Sequence, residues 1–192
     1  TDVARNVPAF SGSGAGTVAD PYIITNVSQL QEMNLNLSAN YTIGNDIDAN
    51  ETAAWDWNAA DSIFRGFIPV GGIAVPFTGT LDGAGHTIFG LYMNRTGANY
   101  RGLFGYGRGA TISNFSIFNA NITGPSYVGA ALGAALDGCI IENIRVEGLV
   151  TGGSNIGGVV GGMENGSIVR HCINYADITS RGPSSPYYTG GI

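Results

Sequence analysis

Residues 100–124 read YRGLFGYGRGATISNFSIFNANITG, and the same sentence returns at 127–152 as YVGAALGAALDGCIIENIRVEGLVTG and at 155–180 as NIGGVVGGMENGSIVRHCINYADITS. A fourth copy begins at 188–192 as YTGGI. Gly102, Gly129, Gly157 and Gly190 hold the same place in each copy, at intervals of 27, 28 and 33 residues. An insertion around residues 181–186 accounts for the longer last interval. Repetition at a fixed period decides architecture before any other signal. Within each copy apolar residues (Ile112, Phe115, Ile117; Ile141, Ile144, Val146) interleave with polar ones (Ser113, Ser116; Glu142, Arg145), and Asn114 and Asn143 stand at matching interruptions. Such alternation puts one face inside and one outside. Gly pairs and Asp-Gly steps between these runs supply corners. A unit of this length cannot bury its apolar face alone, but stacked copies bury one continuous column. The expected fold is all-β, a parallel β-helix (β-solenoid) with a short N-terminal capping helix.

The whole chain, 1–192, reads as a single solenoid domain. Residues 1–16 are a Ser/Gly-rich surface lead, 17–98 an N-terminal cap and first coils with a loop inserted at 48–64, and 99–192 the repeats of about 27 residues, the last one incomplete. Asn26 or Ser28 caps a helix whose Leu30, Met33 and Leu37 share one face. Residues 85–91 align with 109–115 at an offset of 24. The 31 glycines are about twice the ordinary share of about 7%. The 14 acidic residues outweigh 8 basic ones, all arginine, for a net charge of -6. Without basic clusters this balance disfavours nucleic acid as a partner. The longest apolar run, near residues 127–136, is too short to span a bilayer.

In order along the chain, DPYIITNVSQLQEM, YTIGNDIDAN, PFTGTLDGAGHTIFGLYMNR and GLFGYGRGATISN, with the repeated VGGVVG-like steps, resemble the GLUG-repeat family of large surface proteins. The resemblance covers residues 14–192 and implies a right-handed parallel β-helix in bacterial and archaeal extracellular proteins. Those include adhesin-like chains, envelope proteins and the non-catalytic parts of some secreted proteases. It implies no single activity and no catalytic residues. Ala130–Gly138 departs from the pattern in using Ala where Gly or Val is usual.

Several side chains are candidates for chemistry. Asp46, Asp48 and Asn50 have D-x-D-x-N spacing suited to oxygen ligands for Ca²⁺, although Glu51 and Trp57 occupy the places where an EF-hand needs Gly and Glu. A solvated loop of Asx turns is the plainer alternative, and otherwise no cofactor is expected. Trp55 and Trp57 are candidates for stacking on a sugar ring. Asp82 and His86 are better read as a Gly-rich turn than as an acid and base. His171 fills the slot of Asn114 and Asn143. Cys139 aligns with Ala110 and Ser167, and Cys172 with Phe115 and Ile144, about 15 Å apart along the coil, beyond the ~7 Å limit for a disulfide. Two free thiols are expected, Cys172 buried. Eight N-x-S/T sequons, at Asn26, Asn36, Asn40, Asn50, Asn94, Asn114, Asn121 and Asn165, suit a glycosylated extracellular chain. The sequence as given ends in mid-copy, so its edge is a template for another strand, and self-association or further repeats are expected there. These readings lead to the expectation of a non-enzymatic extracellular structural protein, a cell-surface building block of a sheath, surface layer, fibre or adhesin stalk. The alternatives are a carbohydrate-binding adhesin module that contacts surface glycans or, more remotely, a polysaccharide lyase or hydrolase.

Overall fold

Each repeat forms one coil with three flat faces. A computed structural model of the chain describes residues 9–181 and 189–190. The first full coil runs Phe104–Arg108, Thr111–Thr123, Ser126–Val128, and the next Leu132–Leu136, Ile140–Gly152, Ser154–Gly157. Successive coils pair in parallel on every face. Leu132 lies between Phe104 and Val160, Ile140 between Thr111 and Ile168, and Ser126 beside Ser154. These rows are 28 or 29 residues apart, close to the period read from the sequence. The β-solenoid expectation is borne out. Gly157 faces Gly190, so the 33-residue interval is also in register. Residues 182–188, with most of the insertion and Tyr187 and Tyr188, lie outside the described residues, as do 1–8 and the edge at 191–192.

The alternating pattern explains the core. Ile112, Phe115, Ile117, Ile141, Ile144 and Val146 are all buried, forming two adjacent rungs of one column. Ile112 and Phe115 are three residues apart, which strict alternation would place on opposite faces. Asn114 resolves this by taking a left-handed conformation (φ 63°), as do Asn143 (φ 53°) and His171 (φ 54°) in the coils above. Asn tolerates that region better than other non-glycine residues. The side chains then stack. Asn143 Nδ2 donates to Asn114 Oδ1 at 2.9 Å, and Asn114 Nδ2 donates to Asp82 Oδ1 at 3.0 Å. Asn143→Ala should cost about 1–2 kcal/mol, combining a lost hydrogen bond with a strained left-handed alanine. Asn143→Gly should recover the conformational part and not the hydrogen bond, and thermal melts of the two variants would check the order.

The N-terminal end is closed by Val27–Glu32, a helix followed by a 3₁₀ turn at Met33–Leu35. Asn26 Oδ1 accepts from the Gln29 backbone N–H at 2.9 Å, and Leu30 and Met33 are fully buried against the first rung. Part of the lead also packs inward. The Phe10 ring lies 4.6 Å from that of Tyr22 and 5.8 Å from that of Tyr41. Two sequence expectations need correction. The offset of 24 is wrong, because Thr87 pairs with Ser116 and Thr80 with Thr111. The turn at Gly83 to Gly85 lengthens that coil's corner, and the similar Gly-x-Thr-Ile strings at 85–88 and 109–112 fall in different rows of the solenoid. Cys172 is half-buried, whereas Cys139 is the buried thiol; both are free. Cys172 sits in the predicted row, beside Ile144, but on the last described rung of that face. Burial still pushes its thiol pKa up.

Candidate functional site

The regular coils break where the chain leaves the solenoid after Asp48. Asn50–Ala54 forms a 3₁₀ turn, and Trp57–Asn58 pairs antiparallel with Ile63–Phe64 as a hairpin. Between the hairpin and residues 94–101 is a cavity of about 310 Å³, lined by Asp61, Arg65, Asn94, Arg95, Thr96 and Arg101 among others.

Arg95 anchors this junction. Its Nη2 donates to Asp56 Oδ2 and to the Gly66 carbonyl, and its Nε to the Phe67 carbonyl, each at 2.7 Å. Asp56 holds a left-handed backbone (φ 52°) to present that carboxylate. Arg65 makes a looser pair with Asp61 at 3.9 Å, both half-exposed, a geometry worth little in water. Arg101 pairs in parallel with Val128 as the first rung of its face, and its stem packs on Gly124, where a Cβ would collide with it. Its Nε donates to the Arg95 carbonyl at 3.0 Å and its Nη1 to the Tyr100 carbonyl at 3.3 Å. Desolvation, with Arg95 nearby, lowers its pKa to about 10, so it stays charged at neutral pH.

The residues proposed from sequence disperse. Asp46 Oδ1 accepts from the Thr87 backbone N–H at 2.9 Å and lies 3.3 Å from His86 Nδ1. Asp48 Oδ1 instead accepts from the Asn50 backbone and side chain at 2.9 and 2.7 Å, bonds that lower its pKa. Asp46 therefore reaches across to the next coil, whereas Asp48 serves a local turn. Among the described residues no three His, Cys, Asp or Glu side chains form a metal-binding group. Trp55 is half-buried and stacks on Phe67 at 6.5 Å, while the exposed Trp57 meets Phe64 edge-on at 4.9 Å. Of the sequon asparagines, Asn26, Asn36, Asn50, Asn121 and Asn165 are exposed, and Asn40, Asn94 and Asn114 half-buried. Several already do structural work: Asn165 Nδ2 donates to Asp137 Oδ1 and Asn40 Nδ2 to the Gly16 carbonyl. The arginine cavity has no sequence motif, because its members are spread over 61–101. The rarity of basic residues was the one available signal.

No family model matches the chain. It is 43% identical over 94 residues to halomucin of Haloquadratum walsbyi, across 48% of this chain and 1% of that protein. It is 29% identical over 167 residues to an immunoglobulin A1 protease of Streptococcus sanguinis, across 85% of this chain and 8% of the protease. A crystal structure described as an immunoglobulin A1 protease from Bacteroides ovatus superposes with a TM-score of 0.63 at 19% identity, covering 98% of this chain and 62% of that one. That likeness establishes the shared solenoid fold. The chain thus spans a small fraction of the curated relatives it matches. The expectation of a non-enzymatic protein is corrected by these comparisons, since proteins sharing this segment include ones named as proteases. No helix among the described residues is long and apolar enough to cross a membrane.

Proposed function

We propose that this chain is a rigid β-solenoid platform within a large extracellular or cell-surface protein, fixing the distance and orientation of the parts joined to it, a protease unit among them. The observation that carries this reading is the parallel pairing of successive coils on three faces, with 28 or 29 residues per coil and a single-residue shift between Ile117 and Ala120. Each coil is locked to two neighbours by backbone hydrogen bonds and a shared core, so bending would have to break several rungs together. Relatives of mucin and protease name, each far longer than the matched segment, support a modular part in a long surface chain. The GLUG-repeat assignment of the coils, self-association through stacked edges and glycans on exposed sequons belong to the same proposal. An antibody raised against this chain tests it. On unpermeabilised source cells or in their medium it should label a polypeptide many times the 19.8 kDa of this sequence. A band of 19.8 kDa confined to the cytosol would reject the platform reading.

A further inference from the structure

Arginine is scarce here, yet Arg65, Arg95 and Arg101, three of the 8 basic residues of the chain, line one cavity. Two of them are accounted for by Asp61 and Asp56. Arg108, Arg145 and Arg170 elsewhere each reach a carboxylate as well. Arg101 reaches none among the described residues; its partners are two backbone carbonyls. The rest of its five N–H donors have no protein acceptor among those residues. A half-buried cation beside a second cation, without a counter-charge, favours an anion in the space it faces. A guanidinium offers a carboxylate two parallel hydrogen bonds. The cavity of about 310 Å³ is also far larger than a carboxylate requires, since a single water needs only about 10–15 Å³ on the same measure. Asn94 and Thr96 offer amide and hydroxyl groups on its wall, and the Asp61 carboxylate can accept from hydroxyls.

We propose that this cavity binds an acidic sugar of the uronate class, its carboxylate on Arg101 and its ring hydroxyls on Asp61, Asn94 and Thr96. Neither the fold's role as a platform nor its location enters the argument, so the site and that role stand or fall separately. The mixture of one unpaired cation, an acceptor and two neutral polar groups fits a polyhydroxylated anion better than a bare ion.

Isothermal titration calorimetry with D-galacturonate, D-galactose and acetate tests the assignment. Galacturonate should bind at least tenfold more tightly than either of the others. Equal binding of galactose would remove the role of the carboxylate, and equal binding of acetate that of the hydroxyls; either overturns the proposal. Arg101→Gln should weaken galacturonate binding tenfold or more, and Gly124→Ala should weaken it by displacing the Arg101 stem with all charges kept. Should Arg101→Gln fail to fold, Thr96→Ala in the exposed loop decides: a several-fold loss supports the cavity, and unchanged affinity rejects it.

Discussion

Gly133→Val, near the start of the strand Leu132–Leu136, should lower the melting temperature by about 10 °C. A Cβ at Gly133 would stand 2.6 Å from the Gly105 carbonyl oxygen, 2.7 Å from the Arg101 nitrogen and 2.7 Å from the Tyr100 carbonyl carbon. All three are backbone atoms, so no side chain can move aside. Gly105 stands in the same relation to the Gly71 carbonyl oxygen at 2.6 Å, and Gly161 to that of Gly133 at 2.7 Å. The three glycines form a column in which backbone rests on backbone at the ordinary interstrand spacing of about 4.8 Å. A side chain there must pry coils apart along that edge. Overpacking of well-filled sites costs about 1–3 kcal/mol and more where neighbours are immobile; about 3 kcal/mol corresponds to roughly 10 °C for a chain of this size. Gly72→Ala is the control, because nothing lies within 4 Å of a Cβ there. Circular-dichroism melts in which Gly133→Val matched Gly72→Ala would refute this account of the column.

Phe104→Ala should cost about 3–5 kcal/mol, the usual range for a fully buried aromatic truncated to alanine. Phe104 is completely buried, with its ring 4.6 Å from that of Phe77, which in turn lies 6.4 Å from Tyr41. Tyr41 touches Tyr22 and Phe10 at the capped end. This file of rings runs along the solenoid axis, so a cavity at Phe104 removes one of the side-chain contacts between the irregular first coils and the regular ones. In a structure where each coil meets only its neighbours, that loss is felt locally first. Hydrogen exchange should therefore speed up in the strand Thr80–Asp82 and the segments beneath it more than in Ile140–Gly152. Phe118→Ala, at an exposed ring of the outer face, should change stability by less than about 1 kcal/mol. Equal losses at Phe104 and Phe118 would show that the axial file has no special weight.

The repeat spacing was legible because solenoid register is written in the sequence. Residues one coil apart face the same environment, so Cys139 falls in the row of Ala110 and Cys172 in that of Ile144, where the pairing places them. The Asn114, Asn143 and His171 slot was legible for the same reason, as was the Asn26 cap, which is a local interaction. Residues 85–91 were misaligned because short Gly-x-Thr-Ile strings recur in different rows of the solenoid, and only pairing tells which one stacks on which. Asp46, Asp48 and Asn50 share a spacing that suits a cation, yet Asp46 is drawn away from the other two by its bond to Thr87, some forty residues away. The arginine cavity was legible only in the scarcity of basic residues, which says nothing of where they meet.

The sequence by itself determined the period, the strand faces, the corner residues and the column that the coils bury, since these follow from nearest-neighbour repetition and from side-chain alternation along one strand. Only the tertiary structure decided where the non-repeating hairpin of 57–64 comes to rest, and with it the grouping of Asp61, Arg65, Asn94, Arg95, Thr96 and Arg101. The reason is physical: within the repeats each position is fixed by identical neighbours above and below, whereas an excursion is positioned by contacts specific to it, such as the bonds of Arg95 to Asp56, Gly66 and Phe67, which no periodicity encodes.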